Sequence, residues 1–209
     1  MKNFSEKRIS LEEIKKCNKL NTYINYDSAN WKSLWTQKID YLEYQLEELK
    51  YKFPFIYIIS DYYIGFVEMG INLMNTNYIK NKKIVHKRIY TTMEINELYN
   101  PFNILIDDEN RDYAEYFKEL IYKGKSIDIY NYINQNKILN LRTFFIRLLY
   151  ITPYFDMVNN IFNDKLNVKE IRKIVLYNNF YENELSKLYS MLKKNNDIID
   201  IDFFSKKNI

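Results

Sequence analysis

The sequence predicts a mostly α-helical chain with one minor β-hairpin. Three observations predict it. Apolar residues recur at steps of three and four along most of the 209 residues. Only three glycines and three prolines are available to interrupt them. Two short stretches near the middle change to a strand-like pattern.

The elements follow in order. Ser10-Leu11-Glu12-Glu13 is a capping box, and Leu11, Ile14 and Cys17 follow it at helical spacing. Cys17 on that stripe reads as core filler. Asp27 or Ser28 is expected to open a second helix, whose face is Trp31, Leu34, Trp35, Ile39, Leu42, Leu46 and Leu49. Pro54 suits the first turn of a third helix that is apolar nearly all round, so that helix is expected to be central. Asp61, Gly65 and Glu68 share one side of it; the two carboxylates are expected to satisfy backbone or lysine groups at a helix contact, with a catalytic pair as the alternative reading. Lys83 to Ile89 and Phe102 to Ile106 read as strands, and Asp107 to Asn110 as an acidic turn. A helix from Arg111 to Lys123 ends at Gly124. Ser126, Asn140, Thr152-Pro153 and Asn167 are expected to start four further helices, and a last one runs from about Phe180 to Lys194. No linker, repeat or low-complexity segment divides the chain. The expected organisation is one domain over 1–209, with an N-terminal helix in 1–25, a helical body in 26–195 and a tail in 196–209.

Composition narrows the function classes. Tyrosine (21) and phenylalanine (13) predict an aromatic core. Asn, Lys, Ile and Tyr have A+T-rich codons, so a net charge of +4 made mainly of lysine reflects genome composition before it reflects a partner. Cys17 and His86 are the only residues of their types, so no disulfide and no CxxC pair is possible. No metal and no cofactor is expected. The start lacks a signal-peptide core, which points to the cytoplasm. Phe53 to Met74 is nearly long enough to span a bilayer. It carries Asp61 and Glu68, and a carboxylate near the bilayer centre costs about 2.5–3.5 kcal/mol. It therefore reads as a core helix, and no membrane span is expected.

Motifs for chemistry are missing. There is no Gly-rich phosphate loop and no GxSxG elbow. A hydrolytic triad would have to use His86, and nothing near it in sequence marks a nucleophile. Lys80 to Arg88 is the densest basic run, but strand alternation would split Lys80, Lys82, Lys83, Lys87 and Arg88 between two faces. That argues against nucleic-acid binding.

Three blocks carry a family resemblance. Val85-His86-Lys87-Arg88-Ile89 comes first, and Asn100-Pro101-Phe102-Asn103-Ile104-Leu105-Ile106-Asp107 with Arg111-Asp112-Tyr113-Ala114-Glu115-Tyr116-Phe117-Lys118 follows. Arg147 to Asp156 closes the series. This order resembles the C-terminal lobe of the kinase-like proteins associated with bacterial spore coats (CotS and YutH type), relatives of aminoglycoside and choline phosphotransferases. The resemblance covers residues 30 to 195 or so. It implies that the segment at His86 corresponds to the catalytic loop. It implies that Asp107 or Asp108 stands near the metal-binding aspartate, and that Arg111-Asp112 is a buried pair bracing the loop from below.

The departures set the functional expectation. Active relatives place an aspartate two residues after the loop histidine; here that position is Arg88, and a guanidinium is no base at neutral pH. The loop asparagine is missing too, with Met93 and Glu94 in its place. The expectation is a non-catalytic, pseudokinase-type structural or interaction protein with a protein partner, linked to sporulation or the spore coat. Two alternatives stand beside it. One is a degenerate small-molecule phosphotransferase using Asp107, Asp108 and Asp112; the other is a basic helical nucleic-acid binder.

Overall fold

A computed structural model describes residues 8–20, 30–74, 82–125, 127–163, 168–195, 197–198, 200–201 and 203–204. They are mostly α-helical, with one two-stranded antiparallel sheet among them. The chain forms two compact units: 1–29 with 79–144, and 30–78 with 145–209.

The first unit contains α1 (Leu11–Leu20), β1 (Lys82–His86), β2 (Ile104–Asp108), α4 (Arg111–Tyr122) and α5 (Ile129–Asn136). It also takes the start of α6 (Leu141–Leu149). β1 and β2 pair with His86 opposite Ile104 and Lys83 opposite Asp107. The Ser10 hydroxyl accepts the Glu13 N–H at 3.3 Å and starts α1, as half of the expected box. Gly124, at φ 71°, closes α4. Its N–H donates to the Ile121 carbonyl and that of Lys125 to Leu120, a two-bond ending that favours glycine at this position. Ser126 lies outside the described residues. The cap of α5 is Asp128, whose Oδ1 accepts the N–H groups of Tyr130 and Asn131 at 2.9 and 3.1 Å. Asn140 caps α6 through the Thr143 N–H at 3.1 Å, as expected. Phe117, Tyr132 and Phe144 form an aromatic cluster in this unit's core. Burial pushes the Tyr132 phenol well above its ordinary pKa.

The second unit contains α2 (Trp31–Lys52), α3 (Pro54–Leu73), α7 (Thr152–Phe162) and α8 (Val168–Lys194). Asp27 and Ser28 lie outside the described residues; the cap of α2 is Asn30, which accepts the Ser33 N–H at 3.2 Å. Leu34, expected on the buried face, is 38% exposed. Pro54 does open α3. That helix is not enveloped: Ile56, Tyr63, Phe66, Val67 and Gly70 are buried, whereas Phe55, Ile58 and Tyr62 are exposed. Asp61, Gly65 and Glu68 share the exposed side, so they are not buried at a helix contact. Glu43 of α2 has a raised pKa from partial burial and from the nearby charges of Glu68, Asp40 and Asp61. Among the described residues no helix is long and apolar enough to cross a membrane.

Asn167, expected to cap α8, lies outside the described residues. α8 is one helix of 27 residues, not two. Tyr177-Asn178-Asn179 reads as an interruption in sequence, but asparagine costs well under 1 kcal/mol in a helix and no glycine or proline is present to break the ladder. Phe203 and Phe204, in the segment read as a tail, reach the ring cluster of Phe66, Phe145 and Tyr189.

Candidate functional site

The sequence-predicted residues converge in the first unit, around His86 at the end of β1. α4 begins right after β2, which returns Asp112 to the strand end. His86 and Asp112 are both buried. The His86 backbone N–H donates to Asp112 Oδ1 at 2.9 Å, and the ring Nδ1 meets Asp112 Oδ2 at 2.7 Å. On the ring's other side Nε2 lies 2.8 Å from the Leu98 carbonyl oxygen. Both neighbours are acceptors, so both ring nitrogens carry protons and the ring is an imidazolium.

Electrostatics agree. Burial is the largest single influence and works against the charge, but the hydrogen bond to Asp112, the contact with Cys17, the Asp112 charge and the Leu98 carbonyl together outweigh it. The His86 pKa is raised to about 10. A raised folded-state pKa stabilises the fold fully below the unfolded value near 6.5, and the contribution is lost as pH rises towards 10. Urea midpoints measured from pH 6 to pH 10 are therefore expected to fall across that window. A flat profile would contradict a charged His86.

Arg111 completes the brace. Its Nε donates to the His86 carbonyl at 2.8 Å, Nη2 to the Lys87 carbonyl at 3.0 Å and Nη1 to Asp107 Oδ2 at 3.1 Å. One planar fork thus fixes two consecutive backbone carbonyls and a carboxylate. Asp107 Oδ1 also accepts the Asp108 N–H at 2.8 Å. Asp108 Oδ1 accepts the Asn110 N–H at 2.9 Å and the Thr143 hydroxyl at 3.2 Å. Asp107, Asp108 and Asp112 are all buried in internal bonding, and Lys83, opposite Asp107, is the residue three before His86. Arg88 is exposed, its guanidinium bonded to the Tyr90 hydroxyl at 3.0 Å and its backbone held by Asn103. Among the described residues no group of three or more His, Cys, Asp or Glu side chains could hold a metal ion.

No family model, curated protein or solved structure matches the chain.

One neighbour escaped the sequence reading. Cys17 Sγ lies 4.0 Å from His86 Nε2, so Cys17, His86 and Asp112 stand in the order of a cysteine-protease triad. The geometry does not make a nucleophile. Nε2 already donates to Leu98, so it has no lone pair to take the thiol proton, and all three side chains are buried. No sequence signal could have found this contact, because the two residues are 69 positions apart and meet only through the packing of α1 on β1. In the basic run, Lys83 is paired with Glu109 at 2.9 Å, and Lys80 lies outside the described residues.

Proposed function

We propose that this chain is a non-catalytic, kinase-like protein that acts as a structural or interaction module, with the link to spore-coat assembly that its sequence resemblance implies. One observation carries the reading. Asp112 clamps both the backbone and the ring of His86, where the resemblance expects a bracing aspartate, while Arg88 stands where a base is required. The chemistry of the neighbourhood supports it. Phosphoryl transfer is driven by positioning and charge stabilisation, and here Asp107 and Asp112 are engaged in internal bonds through both carboxylate oxygens and Asp108 through Oδ1.

A protein partner is supported by the second unit taken alone. Leu34, Tyr41, Tyr44 and Tyr51 are exposed on α2 at steps of seven, three and seven, which is one helical face. Phe55, Ile58 and Tyr62 form a similar exposed stripe on α3. Single exposed apolar residues are ordinary, but two aligned stripes suit association.

The test is a thermal-shift titration with ATP and Mg²⁺. No change in melting temperature is expected. A rise of several degrees at saturating nucleotide would overturn the reading, because a ligand that binds only the folded state must stabilise it.

A further inference from the structure

The exposed side of the α2–α3 pair carries charge as well as apolar surface. At about 100° per residue, Asp40, Glu43 and Glu47 fall towards one side of the exposed face of α2, and Tyr41, Tyr44 and Tyr51 towards the other. Glu43 feels the charges of Asp61 and Glu68, so the acidic side of α2 is the one turned towards α3. On α3, Asp61 and Glu68 share one line along the helix, and Ile58, Tyr62 and Phe55 continue the exposed face beyond it. An acidic band thus follows the seam between the two helices, with an apolar border on each side. Tyr44 is 71% exposed and Ile58 65%, so both borders are open.

The band is not neutralised from within. Glu47 is paired with Lys50 at 3.8 Å, but the carboxylates of Asp40, Glu43, Asp61 and Glu68 make no ion pair or hydrogen bond among the described residues. The chain as a whole carries +4, so this face runs against its composition. Gly65, between Asp61 and Glu68, has open space where a side chain would stand, which leaves room for an incoming one. Carboxylates bordered by tyrosine rings complement lysine and arginine: the charged heads meet the acids and ring faces, and the aliphatic stems lie along the apolar border. The same charges repel nucleic acid and acidic lipid. A seam between two long packed helices has the shape that takes a third helix. We infer that this face docks a basic amphipathic helix of a partner protein. Its lysines and arginines lie on Asp40, Glu43, Asp61 and Glu68, and its apolar residues on Phe55, Ile58 and Tyr62. This docking mode rests on the interaction-module reading above and adds the partner's chemistry to it.

The probe is a fluorescent amphipathic peptide of repeated Leu-Lys-Lys-Leu blocks, titrated with the full chain and read by anisotropy. Saturable binding is expected. Glu68→Lys is expected to weaken it by about tenfold. Glu12→Lys makes the same change of net charge on an exposed residue of α1, and is expected to leave the affinity within about twofold. Ile58→Ser is expected to weaken binding by about fivefold through lost apolar contact. Glu68 and Ile58 are exposed, so both variants are expected to fold, and melting temperatures matching the parent check that. Absence of saturable binding, equal losses in Glu68→Lys and Glu12→Lys, or unchanged affinity in Ile58→Ser would each overturn the proposal. So would a dimer in sedimentation velocity that Ile58→Ser disperses, which would give the face to a second copy of the chain. The nucleotide titration separates the two readings. A nucleotide-induced shift with peptide binding intact would sink the non-catalytic reading alone; no shift and no peptide binding would sink this docking mode alone.

Discussion

Asp112→Ala is expected to destabilise the fold by about 3–5 kcal/mol, the range found when one partner of a buried, hydrogen-bonded charge pair is removed. The carboxylate holds two donors that no other described group satisfies: the His86 backbone N–H at 2.9 Å and the ring N–H at 2.7 Å. Alanine would leave both buried, and would leave the imidazolium without its counter-charge. Asp112→Asn separates the two losses. The amide oxygen can still accept the backbone N–H, but its NH₂ group faces the ring, so the ring must give up its Nδ1 proton and become neutral. The asparagine variant is therefore expected to lose less stability than the alanine variant and to show a flattened pH profile between 6.5 and 10. Urea denaturation of the three proteins at several pH values measures both effects. A loss below about 1 kcal/mol for Asp112→Ala would mean that the brace does not hold this unit together.

The burial of Arg111 and Asp112 was expected from the family resemblance alone, and the local geometry supplies a physical reason for it. Arg111 and Asp112 follow directly on the strand and open the helix, so both are carried back to the strand end whatever the remainder of the chain does. Caps were legible in the sequence itself where a single residue type suits the position, as at Pro54, Gly124 and Asn140. They were misplaced where several candidates crowd together. Asp27, Ser28 and Asn30 can all cap a helix, as can Ser126 and Asp128, and tertiary packing chooses among them. Burial was the least legible property. Phe55, Ile58 and Tyr62 make α3 look apolar all round, and only the packed unit shows that one stripe is uncovered.

The two glycines of α3 are expected to respond in opposite directions to an added side chain. At Gly70 a Cβ would lie 3.1 Å from Trp35 Cζ3 and 3.4 Å from Leu149 Cβ. The indole cannot easily yield, because Trp35 is itself buried and its ring lies against Tyr150, with centroids 4.9 Å apart. Alanine at Gly70 would gain helix propensity of about 1 kcal/mol and lose most or all of it to crowding. Gly70→Val adds two further carbons in the same space, and a loss of about 2–3 kcal/mol is expected. At Gly65 nothing lies within 4 Å of the added carbon, and the position faces solvent. Gly65→Ala should then show the propensity term alone, a gain of about 0.5–1 kcal/mol. Thermal melts of the two variants beside the parent protein check this. Equal stability for Gly70→Val and Gly65→Ala would mean that α3 does not pack against Trp35 through Gly70. A gap of several degrees would show that the helix is held by close backbone approach on one side only, which leaves its exposed Phe55, Ile58 and Tyr62 stripe open to a partner.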